Sequence, residues 1–288
     1  MNIVSAIITT HNRADLLERA IKSVLNQTFL DIECIVVDDA SLDNTEEVCL
    51  KYPIKYIHIP KEESHGGNYA RNLGIKAAKG KFVAFLDDDD FWQPEKTTKQ
   101  IELIEKLGCE LVYCGRRIEY VSSRGVEYKD FYLQGEEMED FHKRILYTIC
   151  TTTSCILVRR SALIEVGAFD EDLSFWQEYE LTIRLAQRQP FCHINEPLTV
   201  YRIDERDKNR LTNKYGAWKK SVKKIYEKHS DLFNNLNFFE KQMVRVNYIG
   251  DAIPRAKASG LKKTCLLHKL DYNTLCLPAR IYSRLFKK

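Results

Sequence analysis

An α/β fold, with a doubly wound, mainly parallel sheet and a helical C-terminal extension, is predicted by three observations. Strand-like apolar runs alternate with helical periodicity through the first hundred residues. Those runs are continuously apolar, as in strands covered on both faces. Polar and acidic residues gather where the runs end, the edge at which such sheets bind ligands.

The elements follow in order. Residues 3–10 form an apolar run ending in threonines and read as the first buried strand. Asn12 can cap the next helix, in which Leu17, Ile21, Val24 and Leu25 recur on one face. Residues 32–37, 54–59 and 82–86 read as three further buried strands, with a helix over 68–78 before the last. Residues 95–107 read as a helix and 111–114 as a short strand. Residues 118–121 and 126–128, around Ser123-Arg124-Gly125, suggest a hairpin, and 151–158 another strand. A helix over 178–187 places Leu181, Leu185 and Ala186 on one face. Beyond Arg210 the pattern is helical, broken near 231–237, Ser259-Gly260 and Pro278.

Composition excludes several classes. With 44% hydrophobic and 30% charged residues in 288, the chain can build a real core. Fifteen tyrosines and thirteen phenylalanines argue against disorder. No apolar run reaches the roughly 18 residues of a membrane span, and the first five residues lack the basic region of a signal peptide. Nine cysteines without a CxxC pair read as reduced thiols of a cytosolic protein rather than as a zinc site. The net charge is only +3, yet residues 255–288 hold nine basic side chains against the single acid Asp271. That tail carries +8 and the rest of the chain −5. Lys214, Lys219, Lys220, Lys223, Lys224 and Lys228 precede it, with Glu227 among them. Ile281, Leu285 and Phe286 form a short apolar face beside Arg280, Arg284, Lys287 and Lys288. A basic tail on an acidic body suits an anionic surface, either nucleic acid or the cytoplasmic leaflet; the C-terminal segment reads as docking on anionic membrane or as a solvated helix packed on the catalytic domain.

The chemistry concentrates in Asp87, Asp88, Asp89 and Asp90, which follow the fourth strand. Adjacent carboxylates repel, so the run reads either as a site for a hard cation such as Mg²⁺ or Mn²⁺ or as a solvated acidic loop before a helix. Alternation along an extended segment lets Asp87 and Asp89 share a ligand while Asp88 points elsewhere. Asp38-Asp39 fits a nucleotide loop, or a turn closed by Asp39 and Ser41. Arg71, after Gly66-Gly67, can face an anion at the strand ends or sit on the surface.

Six motifs then appear in order: TTHNR at 9–13, SVLNQTF at 23–29, IVVDDASLDNT at 35–45, ARNLGI at 70–75, AAKGKFVAFLDDDDFWQPEK at 77–96 and FWQEYEL at 175–181. Together they closely resemble the family 2 inverting glycosyltransferases with the GT-A fold, over about residues 1–205. The resemblance implies a catalytic domain over 1–205, with a nucleotide-sugar half to about 115 and an acceptor half from 116, followed by a basic helical extension over 206–288. It assigns nucleotide binding to Thr9, His11, Arg13, Asp39, Arg71 and Asp88, with the Asp39 carboxylate suited to the N3–H of uracil. It implies a divalent cation, Mn²⁺ or Mg²⁺, on Asp87 and Asp89 of a DxD motif. It makes Glu178 the catalytic carboxylate and places Trp176 and Gln177 on the acceptor side. Many members carry a histidine after Tyr-Arg. Here Tyr201-Arg202-Ile203-Asp204 stands instead, and Asp204 either replaces it at the metal or phosphates or does neither. The QxxRW signature of processive relatives is absent, which implies addition of one sugar at a time.

The implied function is transfer of a sugar from a nucleotide-sugar, with a UDP-sugar favoured, to a hydroxyl of a saccharide or lipid-linked acceptor in bacterial surface polysaccharide synthesis. The implied setting is the cytoplasm, with peripheral contact at the inner face of the plasma membrane and no nucleic-acid partner. The rival classes are a sugar-phosphate nucleotidyltransferase, whose glycine-rich N-terminal phosphate loop is missing here, and a non-catalytic nucleotide- or glycan-binding module.

Overall fold

The computed structural model describes residues 3–133, 135–207 and 214–285, with side chains to residue 281. Phe286, Lys287 and Lys288, and the side chains of Arg284 and Leu285, therefore lie outside the described part of the expected tail face. The chain divides into two compact units. The first comprises Met1–Asp140, Thr151–Asp172 and Gln177–Arg206; the second comprises Phe141–Cys150, Leu173–Trp176 and Asp207–Lys288.

In the first unit, β1 (Val4–Thr10), α1 (Ala14–Leu25), β2 (Ile32–Asp39), α2 (Thr45–Cys49), β3 (Lys55–Ile59), α3 (Gly67–Ala77) and β4 (Phe82–Asp87) alternate as expected. There follow β5 (Phe91–Trp92), α4 (Lys96–Leu107), β6 (Leu111–Ser122), β7 (Gly125–Phe131), β8 (Met138–Glu139), β9 (Leu157–Arg159), α5 (Arg160–Glu165), α6 (Gln177–Ala186) and β10 (Phe191–Asp204). They make one sheet in the order β3-β2-β1-β4-β9-β6-β10-β5, with β7 on β6 and β8 on β10. Strands β3, β2, β1 and β4 run parallel, as do β6 and β10; β9 enters antiparallel between β4 and β6. Ile8, Val36, Ala84 and Leu86 pack with Leu17, Ile21 and Val24 of α1 in one buried cluster. On the helix α3, Gly74 has no room for a side chain, since a Cβ there would lie 2.5 Å from Ile7 Cγ2. That close approach holds α3, and Arg71 on it, against β1.

Several local expectations change. Leu25 is exposed, because it lies at the margin of the stripe centred on Leu17, Ile21 and Val24. Asn12 does not cap α1; it adopts a left-handed φ of 53°. Asp43 accepts from the Ala14 N–H at 3.0 Å instead, while Asn12 Oδ1 accepts from Leu42 N–H. β3 is an edge strand and is buried only at Ile59. The strands expected at 111–114 and 118–121 are one, β6, because Gly115 is held between Phe131 and Glu196 carbonyls and Arg117 pairs with Asp130 across the hairpin. Residues Thr153–Cys155 form a 3₁₀ turn, which shortens the expected strand to β9. Cys109 and Cys192 form a disulfide, contrary to the all-reduced expectation. They are 83 residues apart in sequence, and the β6–β10 ladder, which pairs Cys192 with Val112, brings them together.

The second unit contains α7 (Tyr215–Lys228), α8 (Ser230–Asn234), α9 (Phe238–Ala258), α10 (Lys262–Asn273) and α11 (Leu277–Leu285). Two segments from earlier in the chain join these helices. Their shared core centres on fully buried Trp218, which stacks on Tyr248 at 5.2 Å and meets Trp176 edge-on at 5.7 Å. An Asn237–Glu240 capping box starts α9. No helix among the described residues is long and apolar enough to cross a membrane.

Candidate active site

The parallel registers gather the first unit's polar residues on one sheet edge. Thr9 is level with Val37 and Asp87, and Thr10 with Asp38. His11 Nδ1 donates to the Asp39 carbonyl at 2.5 Å, so its Nε2 is left to accept from the Asn12 amide at 2.9 Å. The turn after β2 is closed by Asp38, not Asp39: Asp38 Oδ1 accepts from Ser41 N–H, and Oδ2 from Tyr56. Asp39 is thereby released. Its Oδ1 is buried with no hydrogen-bond partner among the described residues, a state that costs free energy unless a ligand donates. Ala40, beside it, takes a left-handed φ of 61°. Asn12, Ala40 and Trp176, three of the four non-glycine residues with such φ among those described, thus flank candidate residues. Strain of this kind concentrates at binding sites.

The acidic run is a turn braced by cations. Asp87 ends β4 and receives Arg71 Nη2 at 2.8 Å. Arg13 Nη1 reaches Asp88 at 3.1 Å and Asp89 at 3.2 Å. Asp88 and Asp90 turn inward, at 5% and 0% exposure, whereas the Asp87 and Asp89 side chains remain 33% and 30% exposed. Burial, then the Asp89 charge, pushes the Asp88 carboxyl up to about 7. Burial likewise holds Asp90 well above the usual carboxylate range. Asp90 accepts from Ser154 Oγ at 2.6 Å and from Arg202 N–H at 2.9 Å. A turn of this charge favours any cation that reaches its two outward carboxylates.

Four residues of this brace escaped the sequence reading: Arg19, Glu119, Ser154 and Arg202. Glu119 accepts from Arg19 and Arg202 at 3.0 Å each, and Arg19 also donates to the Asp89 carbonyl at 2.9 Å. Their links in this brace span 64 to 112 residues of sequence, so no local pattern marks them; only Arg202 stood in a noted motif. Asp204 is occupied by arginines. Arg206 and then Arg202 hold it well below the usual carboxylate range.

Glu178 lies half-buried in the first turn of α6, after Gln177. Arg184 anchors this helix by donating to the Val166 and Ala168 carbonyls and to both oxygens of Glu180. Glu180 is fully buried and Arg184 is its counter-ion. Glu180→Gln should therefore unfold at a lower temperature, by roughly 10 °C, as expected for loss of about 3–5 kcal/mol from a broken buried pair. A melting curve matching wild type would show that the pair contributes nothing. Trp176 belongs to the second unit, where its buried indole donates to Asp251 at 2.9 Å.

This mixed α/β fold around a central multi-stranded sheet is that of the GT-A glycosyltransferases. The chain belongs to glycosyl transferase family 2, whose family model matches residues 5–167. It is a glycosyltransferase. It is 30% identical to an uncharacterized glycosyltransferase of Rickettsia typhi over 233 residues, covering 77% of this chain and 72% of the relative. It is 35% identical over 136 residues to an Escherichia coli enzyme named UDP-Glc:α-D-GlcNAc-diphosphoundecaprenol β-1,3-glucosyltransferase, covering 47% of this chain and 51% of that one. The chain spans about half the length of two other curated relatives it matches. Its fold is that of the S. aureus TarS fragment 1–349 solved with UDP-GlcNAc, with a TM-score of 0.60 at 17% identity over 96% of this chain and 91% of that one.

Proposed function

We propose that this glycosyltransferase moves one sugar from a UDP-sugar, with inversion, to a hydroxyl of a saccharide or lipid-linked acceptor in bacterial surface polysaccharide assembly. The observation that carries the reading is the sheet edge itself. There the unpartnered, buried Asp39 Oδ1, at the end of β2, and the two outward carboxylates of the acidic turn, after β4, flank β1 on the same sheet edge. The first can accept the N3–H of a uracil ring, and the second can meet the diphosphate through a cation. The E. coli relative's name records both a UDP-sugar and a diphospholipid acceptor.

Asp87 and Asp89 fit Mg²⁺ or Mn²⁺, ions that take one or two carboxylates and complete their shell from substrate phosphates and water. When bound, such an ion stabilises charge on the departing diphosphate. Within the protein, Arg71 and Arg13 are cations positioned for the phosphates. Thr9 and His11 line the nucleoside side. Glu178 takes the proton of the acceptor hydroxyl as it attacks the anomeric carbon in line with the leaving group. Single displacement turns an α-linked donor into a β-linkage. Gln177 borders the acceptor side.

The test is a donor screen across nucleotide-sugars with Mn²⁺, read as donor hydrolysis; turnover of no nucleotide-sugar would overturn the reading. Base choice is tested separately. UDP should raise the melting temperature more than GDP, ADP or CMP at equal concentration, and Asp39→Ala should erase that preference. Equal shifts with all four nucleotides in the wild type would mean that the base is not read.

A further inference from the structure

We infer that the second unit carries a docking site for an anionic lipid surface, built from α10 rather than from the extreme C-terminus. This deepens the lipid-linked-acceptor reading, and its test does not depend on that reading.

A helix of a soluble protein turns its leucines inward and its charges outward. α10 does the reverse. Leu266, Leu267 and Leu270 are 59%, 66% and 54% exposed, while the inner side is taken by Cys265, His268 and Tyr272. At about 100° per residue the three leucines share one arc of roughly 100°, and Lys262, Lys263 and Lys269 lie within or beside it. All three lysines are exposed. The helix's one acid, Asp271, is paired with Arg245 of α9 at 2.8 Å. Beside the first turn of α10 opens a cleft of about 360 Å³, lined by Lys257, Gly260, Lys262, Cys265, Leu266 and Lys269. Three lysines and Leu266 therefore line a cleft at the margin of the leucine arc.

Charge decides the occupant. A second copy docked by a two-fold axis would bring these lysines against their own counterparts. An anionic bilayer is complementary at both levels. Headgroup phosphates meet Lys257, Lys262 and Lys269 at the cleft, and the leucines enter the acyl boundary, the pattern of an interfacial helix.

The experiment is co-sedimentation of the full chain with vesicles of phosphatidylglycerol and phosphatidylcholine, against phosphatidylcholine alone, at low and high salt. Binding should require phosphatidylglycerol and weaken with salt. Lys262→Glu/Lys263→Glu/Lys269→Glu should lower partitioning by about 10²-fold, and Leu266→Ser/Leu267→Ser/Leu270→Ser by about tenfold or more. Both variants should keep the wild-type melting temperature and UDP-induced shift, so a failed docking surface and a failed nucleotide reading give different results. No binding of wild type to phosphatidylglycerol vesicles would overturn the inference, as would equal binding to phosphatidylcholine or an unaffected leucine variant. So would a dimer that the leucine variant dissociates. Full displacement by inorganic phosphate at constant ionic strength would assign the cleft to a free anion and overturn membrane docking.

Discussion

Glu178→Gln is expected to lower kcat by about 10²–10⁴-fold while UDP affinity stays nearly unchanged. An alcohol is a weak nucleophile, so its proton must leave as the new bond forms. A glutamate is ordinarily ionised at neutral pH and can accept that proton; glutamine keeps the shape and cannot. UDP binding should survive because the residues proposed to hold the nucleoside lie on other elements, at the ends of β1 and β2. Glu180, two residues on, is no substitute. It is fully buried and both of its oxygens receive Arg184. Near wild-type turnover of Glu178→Gln, measured with saturating donor, would show that another group takes the proton.

The second large effect belongs to the acidic turn. Chelation should abolish transfer, and Mn²⁺ or Mg²⁺ should restore it. Asp89→Asn should lose activity by about 10³-fold, the several kcal/mol that a cation supplies at a leaving diphosphate. Its fold should persist, with a melting temperature at or above that of wild type. The reason is electrostatic: the Asp89 charge is the second cause, after burial, that raises Asp88, and removing it relieves repulsion in the turn. Asp90 would be the wrong choice for this test. It is buried between Ser154 and Arg202, and Asp90→Asn would disturb the turn itself. Full activity of Asp89→Asn in chelator would remove the metal from the mechanism.

Much of this could be read before the fold was known, and the exceptions share a cause. The strands β1, β2 and β4 lie within two residues of the apolar runs that announced them. The acidic run and the strand-end threonines, histidine and aspartates stand where such sheets place ligands. The roles of Asp38 and Asp39 could not be separated by reading, since both follow the same strand. They separate only because Ser41 and Tyr56 fold onto Asp38, while Asp39 Oδ1 has no hydrogen-bond partner among the described residues. Glu178 and Glu180 pose the same problem two residues apart on one helix, and burial against Arg184 distinguishes them.

By itself, then, the sequence determined the elements that depend on local periodicity: the alternating strands and helices, the acidic turn at the end of β4, the family motifs and the basic helical tail. Only the tertiary structure decided the partners. Arg13 on the acidic turn, Glu119 between Arg19 and Arg202, the Cys109–Cys192 bridge, Trp176 in the core of the second unit and the outward leucines of α10 all join or expose residues far apart in the chain. A period of two or 3.6 residues reports which face of an element is apolar. Strand order and register, set by packing across the whole sheet, report what that face will meet.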